Sequence, residues 1–276
     1  MKPKKKKLDS SDMSFWAHLD VLRGVLIRCV IAWGVTTIGT FLLRDPLFSL
    51  LLAPSQPDFF TWRLLAKCGF TIPTPLPPYS STPLPLISTE LTGQFLTHVS
   101  VSLWTGFVIA LPFIIWQLYQ FIQPAIGEVG HKKVWICVTA VLLFFMGVVL
   151  NYFIIFPFAY KFLIGYQVHQ TVVNTITLSS YIGTFLTLSL IMGVLFELPL
   201  LAWILASLGI LEASLLRQYR KHAVVLIVIL AAVITPTGDA FTLLLVSVPI
   251  YLLYELSIGI VERVNKKNEK RSFFIA

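Results

Sequence analysis

The chain has 276 residues, 57% of them hydrophobic and only 12% charged, with a mean hydropathy of +0.82. That composition excludes a soluble domain with a polar surface and places the chain in a membrane. The net charge of +8 invites a nucleic-acid reading, but the Lys and Arg fall in four clusters between apolar runs. Polytopic membrane proteins distribute charge in this way, so no nucleic-acid partner is expected.

Residues 1–24 are polar and basic, opening with Lys2, Lys4, Lys5, Lys6 and Lys7. They are expected to form a solvated tail drawn to anionic lipid. A secretory signal is not expected, because the apolar run begins only near Val25 and no small-x-small cleavage site follows. From Ser14 to Arg28 the spacing is helical, with Phe15, Leu19, Leu22 and Leu26 on one side, so a helix is expected to lie at the interface before the chain enters the bilayer. Cys29 and Cys137 lie in apolar runs and Cys68 in a loop, which gives no disulfide framework.

Six apolar runs follow, at 25–43, 99–122, 134–157, 181–206, 223–234 and 240–261. An even number puts both termini on one side. Of the 21 Lys and Arg, 17 lie in the stretch through Arg28 and in 123–133, 207–222 and 262–276; the intervening segments hold only Arg44, Arg63, Lys67 and Lys161. Cytoplasmic segments carry the excess of positive charge, so both ends are expected in the cytoplasm. The expected division is a basic tail with its interfacial helix over 1–24, a six-span membrane domain over 25–261, and a second basic cytoplasmic tail over 262–276.

The first external loop, 44–98, contains nine of the sixteen prolines, including the run from Pro73 to Pro78. It is expected to be an extended, semi-rigid spacer that caps the bundle outside. Residues 46–52 and 59–67 read as short amphipathic pieces on the outer interface. The fifth run, Ala223 to Ile234, would be about 18 Å long as a helix against about 30 Å of hydrocarbon. With the turn at Thr235–Asp239 it reads as half of a short hairpin, so the fifth and sixth helices are both expected to be short. Glu255, in the sixth run, lies close enough to the cytoplasmic end to snorkel.

Glu197 is the residue that organises the rest. Residues 162–196 and 198–211 carry no Asp, Glu, Lys or Arg, so this carboxylate stands alone in a bilayer-spanning segment. An acid at that depth costs about 2.5 to 3.5 kcal/mol and marks a functional site with a partner. The competing reading is an acid held only for packing. Catalysis lacks its parts: His18, His98, His131, His169 and His222 fall at or outside the span ends, and neither a Gly-x-Ser-x-Gly elbow nor a His-Glu-x-x-His pair occurs. No enzyme activity, catalytic residue, metal or cofactor is expected. A proton-coupled small-molecule transporter using Glu197 is the alternative, although the internal repeat common in such folds is not found.

Four separated motifs point further. His18-Leu-Asp-Val-Leu-Arg23, Phe121-Ile-Gln-Pro-Ala125, Phe196-Glu-Leu-Pro199, and Thr235-Pro-Thr-Gly-Asp239 followed by Val248-Pro-Ile-Tyr-Leu-Leu-Tyr-Glu255 occur in an order and spacing that resemble the TatC family, the multispanning subunit of the twin-arginine protein translocase. The resemblance covers about residues 14 to 263. It implies an all-α polytopic protein of the bacterial cytoplasmic membrane, with six helices in a concave, glove-shaped bundle and both termini cytoplasmic. It also implies a non-enzymatic receptor for the twin-arginine signal peptides of folded cargo. Its partners would be single-span TatA-type and TatB-type subunits, the lipid bilayer and further copies of itself, with transport driven by the proton-motive force.

Two guanidinium groups are best read by carboxylates accepting bidentate bonds. The family's usual acids fall here at Val21 and Gly130, so the neighbouring Asp20 and Glu128 are assigned as the arginine readers. Arg23, Phe121 and Pro124 complete the expected signal-peptide site. Glu197 aligns with the family's buried glutamate near a partner helix. Asp239 and Pro236 belong to the outer hairpin, where an Asp commonly caps the following helix. Pro199 and Pro249 are expected to kink their helices and shape the concavity.

Overall fold

A computed structural model describes residues 15–69, 86–126, 133–166, 169, 175–235 and 239–275. Regular structure among them is helical: α1 (Phe15–Leu42), α2 (Arg44–Leu52), α3 (Phe60–Lys67), α4 (Gly93–Ile126), α5 (Lys133–Leu150), α6 (Phe156–Gly165), α7 (Leu178–Leu195), α8 (Leu198–Ser207), α9 (Ala213–Gln218), α10 (Arg220–Ile234) and α11 (Ala240–Ile275). The expected all-α class is observed, and five stretches are long and apolar enough to cross a membrane: Leu19–Leu42, Gly93–Gln123, Val134–Gly165, Leu178–Ser207 and Ala240–Asn268. The chain is thus a multi-pass membrane protein.

The remaining apolar run lies in α10, whose 15 residues give about 22 Å of helix. Its partner in the expected hairpin is not short. Helix α11 runs for 36 residues, with Pro249 inside it. The apolar pattern ends at Val261, but a helix leaving a bilayer does not have to stop where charge begins. Residues 262–275, read from sequence as a tail, continue α11. At the other end the basic stretch from Phe15 is continuous with the first span in α1.

Helix α1 lies antiparallel along α4. Thr36 Oγ1 donates to the Gly106 carbonyl at 2.8 Å, Thr40 Oγ1 to the Ser102 carbonyl at 3.0 Å, and Trp33 Nε1 to the Leu103 carbonyl at 2.8 Å. At the crossing, a Cβ on Gly106 would stand 2.7 Å from the Cα and N of Thr37, so only glycine allows this approach. Small residues and hydroxyls are how helices adhere in lipid, where apolar burial gives no drive. A second close crossing joins α5 to α7, where Gly147 meets the Met192 carbonyl and Gly193 the Phe144 ring. The main core gathers Ile155, Phe156, Tyr181, Phe185, Leu188, Met192, Val246 and Ile250 from α6, α7 and α11 and the turn before α6, with Ile227 and Ala231 of α10 at its edge.

The first part of the loop after α1 corrects the expectation of an extended spacer. Leu51 of α2 is 4% exposed and belongs to the main core. Tyr152 and Tyr181 donate to the carbonyls of Leu50 and Leu51 at 2.8 and 3.0 Å. Residues 151–155 make a wide π-type turn just ahead of Pro157. Pro157 has no N–H to give to the Phe153 carbonyl four residues back. Thr61 Oγ1 of α3 donates to that carbonyl at 2.5 Å and so seats the cap on the third span. The proline run 73–78 lies outside the described residues.

Candidate functional site

The fourth span breaks at Phe196-Glu197, between α7 and α8. Pro199, buried in the first turn of α8, cannot supply the hydrogen bond that would join the two pieces. The Glu197 N–H bonds the Val194 carbonyl only three residues back, at 3.1 Å, and the Glu197 carbonyl accepts from Leu201 N at 2.9 Å. Glu197 therefore stands directly ahead of α8, on the border between two faces. Phe196, Pro199 and Leu200 are buried, whereas Val194, Leu198 and Leu201 are 56%, 37% and 53% exposed.

The carboxylate is partly buried, and its Oε1 is buried with no hydrogen-bond partner. An unsatisfied buried acceptor is expensive, more so in lipid than at an aqueous surface. The side chain is not sealed away, because the face beside it is open. Its second oxygen, unlike the buried Oε1, is placed to accept a hydrogen bond from a donor arriving along that face.

Two acids of α11, Glu255 and Glu262, are occupied. Glu255 takes a bond from Arg220 at 2.8 Å and one from Tyr251 Oη at 3.0 Å, so it is held across α10 and α11 and does not snorkel alone. Glu262 pairs with Arg217 and, at 2.9 Å, with Lys266. Among the described residues no cluster of His, Cys, Asp and Glu suited to a metal ion is found.

One polar group escaped the sequence reading. Asn151 is 0% exposed in the third span, and its Nδ2 donates to Ser189 Oγ at 2.7 Å. Its Oδ1 is buried without a partner. The signal was available: a lone amide inside a long apolar run is flagged by the same argument as Glu197.

At the opposite end of the α1 and α4 pair from the cap, Asp20 and Arg23 are exposed on α1. Arg28 Nη1 donates to Gln117 Oε1 at 3.3 Å, and this antiparallel register brings Asp20 and Arg23 to the end of α4 that carries Phe121. Phe121 is partly buried in the last turns of α4, and Pro124 lies in the same helix. Glu128 and Pro236 lie outside the described residues. Asp239 Oδ1 accepts from Thr242 N at 2.7 Å and caps α11. Pro249 is partly buried, and unlike Pro199 it leaves its helix uninterrupted.

Comparison with known proteins agrees with this arrangement. A family described as "Sec-independent protein translocase protein (TatC)" matches residues 17–249. A protein of that name from Blattabacterium sp. subsp. Periplaneta americana is 32% identical over 265 residues, 95% of this chain and 99% of the relative. Another, from Deinococcus radiodurans, is 36% identical over 261 residues, 94% of this chain and 88% of the relative. A crystal structure described as a "Twin Arginine Translocase Receptor- TatC" superposes with a TM-score of 0.70 at 29% identity, covering 90% of this chain and 99% of the other.

Proposed function

The chain belongs to the TatC family of Sec-independent translocase proteins, and from that premise we propose that it is the receptor subunit of a twin-arginine translocase. It binds the twin-arginine signal peptides of folded precursors and assembles with TatA-type and TatB-type single-span subunits and further copies of itself. Transport is driven by the proton-motive force. Its role is recognition and assembly, without catalysis. On this reading it sits in the bacterial cytoplasmic membrane as a glove-shaped bundle of six spans, α10 being the fifth, with both termini in the cytoplasm. The basic tail 1–24 and the end of α11 then lie on the cytoplasmic side, around the membrane domain 25–261.

The observation that carries the reading is the carboxylate of Glu197, partly buried beside an exposed apolar face, with one oxygen buried and unpaired. A polar group on a partner's membrane helix completes it. Asp20, Arg23, Phe121 and Pro124, with Glu128 from the adjoining loop, form the cytoplasmic rim that reads the arginine pair. The test is export of a folded twin-arginine reporter in cells whose own multispanning subunit is deleted and replaced by this chain with its cognate single-span subunits. Restored export supports the proposal. Uptake of a small solute by liposomes holding this chain alone would favour a transporter instead.

A further inference from the structure

Three of the four Lys and Arg found between the clusters of the basic face, Arg63, Lys67 and Lys161, gather on or beside the eight-residue helix α3. The inner side of that helix is committed to the bundle. Thr61 bonds the Phe153 carbonyl, and Trp62 packs on Phe158 with ring centroids 5.3 Å apart. Lys161 Nζ lies 4.2 Å from the centre of the Trp62 ring. The outer side carries Phe60 and Leu64, 59% and 50% exposed, beside the exposed Arg63 and Lys67. A helix in bulk water has no reason to place two large apolar side chains on its open face. Apolar and cationic groups side by side are what an interfacial helix presents to phospholipid.

The depth agrees. Lys161 stands four residues, about 6 Å, from the end of the third span at Gly165, and Phe153 about 18 Å from it. That span, Val134–Gly165, is 32 residues, about 48 Å, so its ends reach through the headgroup layers that flank about 30 Å of hydrocarbon. Contacts running from Phe153 to Lys161 set α3 alongside the span at the level where acyl chains meet phosphates. Asp58, two residues ahead of α3, offsets only part of the charge; its backbone carbonyl accepts from Arg63 Nε at 2.6 Å.

We infer that α3 and the end of α6 form a binding site for the headgroup of an anionic phospholipid in the leaflet opposite the termini. Arg63 and Lys67 hold its phosphate, Lys161 against the Trp62 ring adds to the positive charge behind them, and Phe60 and Leu64 enter the acyl region. The inference rests on the membrane placement given above, but not on any role in export.

Cys68 directly follows α3 and is exposed, whereas Cys29 and Cys137 are buried, so a single environment-sensitive fluorophore can be attached beside the site. The labelled full-length chain is reconstituted in phosphatidylcholine nanodiscs containing a headgroup-quencher lipid, either phosphatidylglycerol or phosphatidylcholine. Stronger quenching by the phosphatidylglycerol is expected, and Arg63→Gln with Lys67→Gln and Lys161→Gln should reduce that preference by on the order of tenfold or more. Lys67→Gln alone, on the open face, should give a partial loss. Equal quenching by the two lipids in the unsubstituted chain overturns the site, as does a preference that survives the triple substitution. Export of the reporter is read separately, so failure here leaves the translocase reading intact.

Discussion

Glu197, at the break in the fourth span, and Glu255, inside α11, both lie in apolar segments of one bundle, and the chain treats them in opposite ways. Glu255 is met by a guanidinium and a phenol from its own chain. Glu197 keeps a buried oxygen with no donor among the described residues. Among the described residues, one membrane acid is fully satisfied by its own chain and the other keeps an unpaired oxygen. On the proposed reading, Glu255 is a structural acid closed by its own fold, and Glu197 serves assembly with a second chain.

The comparison breaks most directly at Glu197. Glu197→Ala should abolish export of a twin-arginine reporter, a loss of tenfold or more, while membrane insertion is unchanged; wild-type export in this variant would make the two acids equivalent. Glu197→Gln keeps an acceptor and should retain part of the activity. Next in size, Asp20→Asn with Glu128→Gln should weaken signal-peptide crosslinking several-fold on the cytoplasmic side, and unchanged crosslinking would move the arginine reader elsewhere.

Asn151 is the intermediate case, with its amide nitrogen used and its oxygen not. Asn151→Ala should lower thermal stability in detergent by about 1 kcal/mol, the scale of a buried hydrogen bond between membrane helices, with export retained. The smallest effect belongs to the closed acid. Arg220→Gln should cost about 1 kcal/mol or less, because the pair is partly exposed, and should leave export intact. A collapse of export there would show that Glu255 also serves assembly.

Much of this was legible in the chain itself. Uninterrupted apolar runs give the spans because lipid leaves the backbone little choice but to be helical. Glu197 is visible because no other charge lies near it, and Asp239 because a turn before a helix asks for a cap. Other features depend on residues far apart. The Arg220–Glu255 pair spans 35 positions and follows no local pattern. Helix α11 continues through its charges because an aqueous surface tolerates a polar helix. Proline is ambiguous in the same way: Pro199 stands at a break and Pro249 does not. The cap hides its anchors, since Leu51 and Thr61 look like ordinary members of a proline-rich loop until the third span is beside them.

That last contact sets an order of events during synthesis. Thr61 and the Phe153 carbonyl are 92 residues apart, and the core that receives Leu51 is drawn from later helices still. On the proposed topology, as the nascent chain is threaded into the bilayer, residues 44–67 cross early and then wait, without anchorage, until the third and fourth spans are in place. A chain stopped after its second span would display an unseated flap on the far side of the membrane, where proteases could distinguish it from a finished molecule.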